Sequence, residues 1–313
     1  MKEPITLSDK FFGDIGVAHR FLESTFNYST MAYLIIENWY DAVLVWARLK
    51  DDCVLRIRPK SIRKSLSGRI VGIFTDGITD CRAVGKSITI DYKGRRVIFN
   101  FTNDYQLIHT IKGIKEQLIE EQYKSVDVRG RTVLDIGGSI GDSAIYFSLN
   151  GAKSIISLEP YPFTYKIAKH NIESNNLERK VLFLNEACRA KAGQIMIDPD
   201  FQNTDRSSLE HFKKGKKINI TTVAELVKKY HINDAVLKID CEGYEYEIIY
   251  GASRELLRKF KYMVLEYHYG FRGLEKKLRA SGFTVRHTAP FYAKHLDDKV
   301  DVLCGFIFAE RIS

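Results

Sequence analysis

The run Val133-Leu134-Asp135-Ile136-Gly137-Gly138-Ser139-Ile140-Gly141-Asp142 has the residue types and spacing most plainly suited to chemistry. An apolar stretch feeds a glycine-rich turn, and a helix-forming segment follows. Glycines there permit positive φ and close backbone approach, and the first turn of a helix offers free N–H groups to a ligand. A dinucleotide fold wants its second and third glycines at spacings that let a pyrophosphate settle on the helix end. Counting from Gly137, those places hold Ser139 and Asp142. An acid at the helix start would repel a pyrophosphate. The spacing Asp135, Gly137, Gly141 suits a cationic amino-acid group instead, on a nucleoside without phosphate. S-adenosylmethionine (SAM), with its sulfonium and ammonium, is such a ligand.

A carboxylate stands at the next strand end, in Leu158-Glu159-Pro160, where an acid can accept both hydroxyls of a ribose. The third strand ends in Leu184-Asn185-Glu186-Ala187, where the adenine edge would lie; a plain polar loop is the alternative there. The expected cofactor contacts are therefore Asp135, Gly137, Gly138, Ser139, Gly141, Asp142, Glu159, Asn185, Glu186 and Ala187.

The second constellation is Val236-Leu237-Lys238-Ile239-Asp240-Cys241-Glu242-Gly243-Tyr244-Glu245. An apolar strand opens at its carboxyl end into a lysine and three acids, the edge where open α/β sheets bind ligands. Burying such charges is costly unless they pair or meet a ligand. Lys238 and Glu245 could equally form an internal network under the turn. Strand five ends in Leu265-Glu266-Tyr267-His268, adding a histidine able to take a proton near neutral pH. Asp240, Glu242 and His268 are the expected catalytic residues. They are also oxygen and nitrogen donors at one sheet edge, a set compatible with a divalent cation, although no metal ligand is assigned.

The elements that must carry these residues alternate. Strands are expected at Thr132–Ile136, Ser154–Glu159, Val181–Asn185, Ala235–Asp240, Tyr262–Tyr267, Phe283–His287 and Leu303–Ala309. Helices are expected at Asp142–Asn150, Phe163–Asn175, Thr222–Tyr230, Tyr244–Gly251 and Leu274–Ser281. This rhythm predicts an α/β fold with a Rossmann-like parallel sheet covered on both faces. The stretch Gln194–Ile220 reads as an insertion at the sheet edge.

Residues 1–110 read as a separate N-terminal α+β region, with 111–313 as the ligand-binding domain. Apolar residues recur at helical spacing from Lys10 to Leu49, followed by the β-type runs VLRIR, RIVGIF, SITIDY and RRVIFNF. The last two are joined by Lys93-Gly94, a hairpin signal. Leu107 to Tyr123 has amphipathic helical spacing.

Composition excludes several classes. The chain has 313 residues, 45% of them apolar and 28% charged, as in globular proteins. Glu37, Asn38 and Asp41 interrupt the apolar stretch Met31–Leu49, which argues against a membrane span, and the N-terminus lacks a signal-peptide core. The cytoplasm is the expected compartment. Five scattered cysteines form no C-x-x-C pair, so neither zinc nor a disulfide framework is expected. The net charge of +9 is concentrated between Arg48 and Arg69, where eight basic residues face two acids. That strip could hold phosphates, or it could be a solvated edge.

At these residues the chain resembles the FkbM family of SAM-dependent methyltransferases. The family's first motif, D-x-G-A-N-x-G, corresponds to Asp135, Gly137, Gly138, Ser139 and Gly141, with Ser139 in place of the usual Asn. Its K-x-D-x-E-G-x-E hallmark is matched by Lys238, Asp240, Glu242, Gly243 and Glu245, and its E-x-H strand end by Glu266 and His268. The resemblance covers about Gly113 to Phe308. It implies a seven-stranded class I methyltransferase core and O-methylation of a sugar or another hydroxylated metabolite. Alternatives are an RNA methyltransferase using the basic strip, a non-catalytic SAM- or nucleotide-binding module, and an NAD-linked oxidoreductase. Against the RNA reading, the fourth strand lacks an Asn/Asp-Pro-Pro-aromatic signature. The methyl acceptor and the oligomeric state are not legible.

Overall fold

Short apolar runs broken by polar turns become the parallel strands of one sheet. The computed structural model describes residues 53–55, 64–66, 78–84, 86–201, 212, 214–294 and 301–312. The helical stretch Lys10–Leu49, the run RIVGIF and most of the basic strip lie outside the described residues.

Residues 15–120 and residues 121–313 belong to different compact units. In the first, β1 (Cys53–Leu55) pairs antiparallel with β2 (Lys64–Leu66). A three-stranded antiparallel sheet joins β3 (Ile78–Val84), β4 (Ser87–Tyr92) and β5 (Arg95–Asn100). The expected hairpin between β4 and β5 is present, and Lys93 and Gly94 both take positive φ, the geometry of a type I′ turn. Gly94 N–H donates to the Asp91 side chain at 3.1 Å. Helix α1 covers Asp104–Ile114 and widens into a π-turn at Lys115–Ile119. It stops short of the expected Tyr123 because Glu121 adopts φ +45°, which a right-handed helix cannot continue through.

The second unit alternates as the sequence predicts: β6 (Thr132–Ile136), α2 (Asp142–Leu149), β7 (Ser154–Leu158), α3 (Pro162–Ser174), β8 (Val181–Leu184), β9 (Glu186–Cys188), β10 (Gly193–Ile197), β11 (Lys216–Thr221), α4 (Val223–Lys229), β12 (Ala235–Ile239), α5 (Glu245–Gly251), α6 (Arg254–Leu257), β13 (Phe260–Tyr267), α7 (Arg272–Ala280), β14 (Phe283–His287), β15 (Phe291–Lys294) and β16 (Asp301–Arg311). The main sheet runs β14-β16-β13-β12-β6-β7-β8, with β15 added beside β16. Neighbours from β13 to β8 pair in parallel, and β16 runs against both β13 and β14. This is a Rossmann-like seven-stranded α/β core, preceded in sequence by an α+β region. β12 is buried along its whole length, as expected of a strand covered on both faces. Leu237, Ile239 and Leu265 form the core with Leu226, Ile249, Leu274 and Leu278 from three helices.

The interruption at 194–220 resolves into a small sheet of order β10-β11-β9 beside the main one. The strand order switches direction between β6 and β12, which puts two carboxyl strand ends side by side, and the candidate site forms there.

Candidate functional site at the carboxyl edge of the sheet

Gly137 is where two strand ends meet. It sits at φ +80°, and a Cβ added there would lie 1.7 Å from the Asp240 carbonyl oxygen. No other residue fits so close an approach. Gly138 is packed as tightly: its Cβ would fall 2.0 Å from the Ser157 hydroxyl oxygen. The turn is fastened from several sides. Gly137 N–H and Gly138 N–H donate to Leu158 O at 3.0 and 2.8 Å, and Asp240 N–H donates to Ile136 O at 3.0 Å. The Asn171 amide donates to Ile140 O at 2.8 Å. Gly141, at φ +85°, caps α2.

Asp135 points into the protein. It is fully buried, accepts hydrogen bonds from the hydroxyls of Ser143 at 2.8 Å and Ser157 at 2.7 Å, and stands 3.1 Å from the Lys238 ammonium. It thus lies beneath the turn rather than along the open edge. Lys238 also donates to Gly137 O. Burial works against its charge, but Asp135, with Tyr123, Asp240 and Asp142, holds its pKa well above the usual lysine value.

Asp142 starts α2 and is nearly buried. Burial pushes its carboxyl up to about 6, against the opposing pull of Lys238. Glu159, 5% exposed, accepts Ser139 N–H at 3.1 Å on one oxygen and Tyr161 N–H at 2.9 Å on the other. Ser139 itself has φ +43°, and this bond holds it there. The Asn185 amide donates to Glu159 O at 3.0 Å and Pro160 O at 2.9 Å, and its oxygen accepts from the Lys216 ammonium at 2.9 Å. Asn185 is therefore beside Glu159. Glu186 and Ala187 continue into β9, where Ala187 is buried and pairs with Ile220.

Beyond β12 the chain turns through Glu242 at φ +53° and Gly243 at φ +105°. A Cβ on Gly243 would meet the Tyr269 ring at 2.6 Å. Glu245, fully buried, organises this loop: it accepts Gly243 N–H at 2.8 Å, His268 N–H at 3.1 Å and the His268 Nδ1 proton at 3.0 Å. The opposite ring nitrogen, Nε2, lies 3.5 Å from Glu242. Asp240, Glu242 and His268 present one donor atom each within 4.8 Å of one another. Burial works against charge on His268, but Glu245, Glu242 and Glu266 together raise its pKa well above the usual histidine value.

The structure thus gathers Gly137, Gly138, Ser139, Gly141, Asp142, Glu159 and Asn185 along the glycine turn, and Asp240, Glu242 and His268 beside it. Four supporting side chains were not singled out from sequence. Ser157 had a signal, being a polar residue within an apolar strand in register with Asp135. Ser143 and Tyr246 had none; the Tyr246 hydroxyl donates to Gly270 O and accepts from Tyr269 N–H, both at 2.7 Å. Tyr123, buried against Phe147 at 5.3 Å between ring centres, lies within electrostatic reach of Lys238, Asp240 and Glu266. The sequence offered it only as the end of a helix.

Residues 135–299 match the model of the Methyltransferase FkbM domain. A Methanocaldococcus jannaschii protein provisionally named as a protein N5-glutamine methyltransferase is 34% identical over 111 residues, covering 31% of this chain and 56% of that protein. The chain thus spans little more than half the length of this curated relative. Among solved structures, a SAM-dependent methyltransferase from Agrobacterium tumefaciens is 12% identical with a TM-score of 0.42, covering 86% of this chain and 80% of that one. M. capricolum TrmK, solved with S-adenosylhomocysteine (SAH), is 13% identical with a TM-score of 0.40, covering 61% and 66%. Likenesses of this size leave the chain's own strand order to define its fold. Since the family match takes in over half of the 313 residues, the protein belongs to the FkbM methyltransferase domain family, whose methyl donor is SAM.

Proposed function

We propose that this chain transfers the methyl group of SAM to a hydroxyl of a sugar or another small hydroxylated metabolite, free or within a glycan. The observation that carries the reading is the chemistry of the sheet edge: carboxylates from Asp240 and Glu242 stand close together, and the neighbouring glycine turn runs into a helix that starts at Asp142 and is bonded through Ser139 N–H to Glu159.

These residues fit the cofactor. Asp142 and Glu159 at the turn are acids, and Lys238 is engaged with Asp135 beneath it, so the cradle suits a cation better than a pyrophosphate. Asp142 would face the methionine ammonium. Glu159, whose carboxylate accepts Ser139 N–H and Tyr161 N–H, would also take the ribose hydroxyls. Asn185, Glu186 and Ala187 would border the adenine. Gly137 and Gly138 keep the floor of the cradle free of side chains. The bound cofactor supplies an electrophilic methyl on sulfur.

The protein's own part is positioning and proton handling. Holding the acceptor hydroxyl in line with the methyl removes much of the barrier. The hydroxyl proton passes to a carboxylate, Asp240 or Glu242, as the oxygen attacks. His268, held by Glu245, orients Glu242 beside the acceptor site.

The test is an incubation of the full chain with methyl-labelled SAM and an extract of cells lacking the protein. Label is expected in the small-molecule or glycan fraction and should survive mild alkali, as an ether does. Label confined to RNA or to protein would overturn the hydroxylated-metabolite reading. SAH binding without any transfer would make the chain a non-catalytic module.

A further inference from the structure

We propose that Asp240, Glu242 and His268 form a site for one divalent cation of the Mg²⁺ or Mn²⁺ type, with the acceptor hydroxyl as a further ligand. The hydroxyl's part rests on the methyl-transfer reading above; the cation site does not.

The donor set is mixed rather than simply acidic, and among the described residues it is the single such group. Hard cations bind oxygen at about 2.0 to 2.6 Å, so opposite ligands stand about 4 to 5 Å apart. The three donor atoms already lie within 4.8 Å of one another. Carboxylates with one imidazole suit Mg²⁺ and Mn²⁺ better than the thiolate-seeking metals, and Cys241, the nearest thiol in sequence, is directed to Glu245 instead.

A second observation comes from His268. The residue is 8% exposed, and its Nδ1 is committed to the fully buried Glu245. That bond fixes the tautomer and ring orientation and leaves Nε2 as the ligating nitrogen. Carboxylate–histidine pairs outside a metal's own ligands have this arrangement and this purpose. Nε2 makes no hydrogen bond among the described residues and faces Glu242 at 3.5 Å. Asp240 and Glu242 are each 29% exposed, which leaves room for water or a substrate oxygen to complete the shell. A cation there would lower the pKa of a bound hydroxyl and let Asp240 or Glu242 act at neutral pH.

Mn²⁺ titrated into the full chain, followed by the electron-spin signal of the free ion and by calorimetry, tests the site. One equivalent is expected to bind, and Mg²⁺ should displace it. Asp240→Asn and Glu242→Gln, both at partly exposed positions, should each weaken binding at least tenfold. Glu245→Gln should weaken it about 10- to 100-fold through the misoriented imidazole. Circular dichroism identifies any variant that fails to fold, and Glu242→Gln then decides. No binding up to about 1 mM Mn²⁺, the weak end of protein sites for divalent cations, would overturn the proposal, as would affinity unchanged in both Asp240→Asn and Glu242→Gln. SAH calorimetry on the same samples separates the two readings. SAH heat without Mn²⁺ binding rejects the cation alone, whereas Mn²⁺ binding without SAH heat keeps the cation site and rejects methyl transfer.

Discussion

Asp135 and Lys238 are register partners on the adjacent strands β6 and β12, with side chains 3.1 Å apart and almost no exposure to solvent. The pair ties the strand that ends in the glycine turn to the strand that ends in the acids. Lys238 reaches further, to Gly137 O, so one buried ammonium secures both strand ends. The acids of the open edge are thereby set over a fixed floor.

Removing one partner of such a pair leaves a charge in the interior, at a cost of about 3–5 kcal/mol. Lys238→Met should lose stability on that scale, because Asp135 would keep only the Ser143 and Ser157 hydroxyls. Adding Asp135→Asn should restore part of it. Urea denaturation of the single and double variants measures both. A single-variant loss below about 1 kcal/mol, the range of exposed ion pairs, would contradict a desolvated pair.

Gly137→Ala should damage the site more than any other single methyl. Its Cβ would sit 1.7 Å from Asp240 O at a φ of +80°, so the two strand ends must move apart. Strained positive φ alone costs an L residue about 1–3 kcal/mol. We expect a lower melting temperature and at least a hundredfold weaker SAH binding. Gly193→Ala, where an added Cβ meets nothing within 4 Å, is the control. Equal behaviour of the two variants would show that the close approach does not matter.

The sequence carried most of this architecture because the parallel strands are nearly continuous apolar runs ended by a chemically distinctive residue. Asp135, Glu159, Asn185, Asp240 and His268 could each be placed at a strand end from pattern alone. What pattern could not supply was direction. Asp135 was expected among the cofactor contacts, yet it turns inward to Lys238, a hundred residues along the chain. Nor could it foresee that Glu245 would capture His268 Nδ1, since that bond depends on the loop at 242–243 taking positive φ. The strand Ile78–Val84 is not legible in the sequence because Asp80 and Arg82 dilute its apolar signal.

Glu159 offers a test of the ribose assignment. Hydrogen bonds to a charged group contribute about 1.5–3 kcal/mol each, so Glu159→Ala should weaken SAH binding at least tenfold. The carboxylate also holds Ser139 N–H, and a cycle with 2′-deoxy-SAH separates the two roles. If Glu159 binds the ribose, the deoxy analogue loses affinity in the wild type and little more in the variant. Losses that simply add would assign Glu159 to the turn alone.

Asp142 gives the cofactor site a pH dependence with a defined sign. Burial raises its carboxyl from 3.8 to about 6, so at pH 7 it is mostly ionised and able to attract a cation. As the pH falls through about 6 it is neutralised, and SAM affinity should decline in step; Asp142→Asn should bind more weakly at pH 7 and lose that step. Stability moves the other way. A carboxyl whose folded pKa lies above its unfolded value destabilises the protein at any pH above that folded pKa, here by up to about 3 kcal/mol. The ligand-free protein should therefore gain stability as the pH falls from 7 toward 4 through this group, and Asp142→Asn should melt higher than wild type at pH 7. Calorimetry with SAM and thermal melts across pH 5 to 8 measure both arms. A variant that binds SAM as the wild type does, with the same pH profile, would remove Asp142 from the cofactor site.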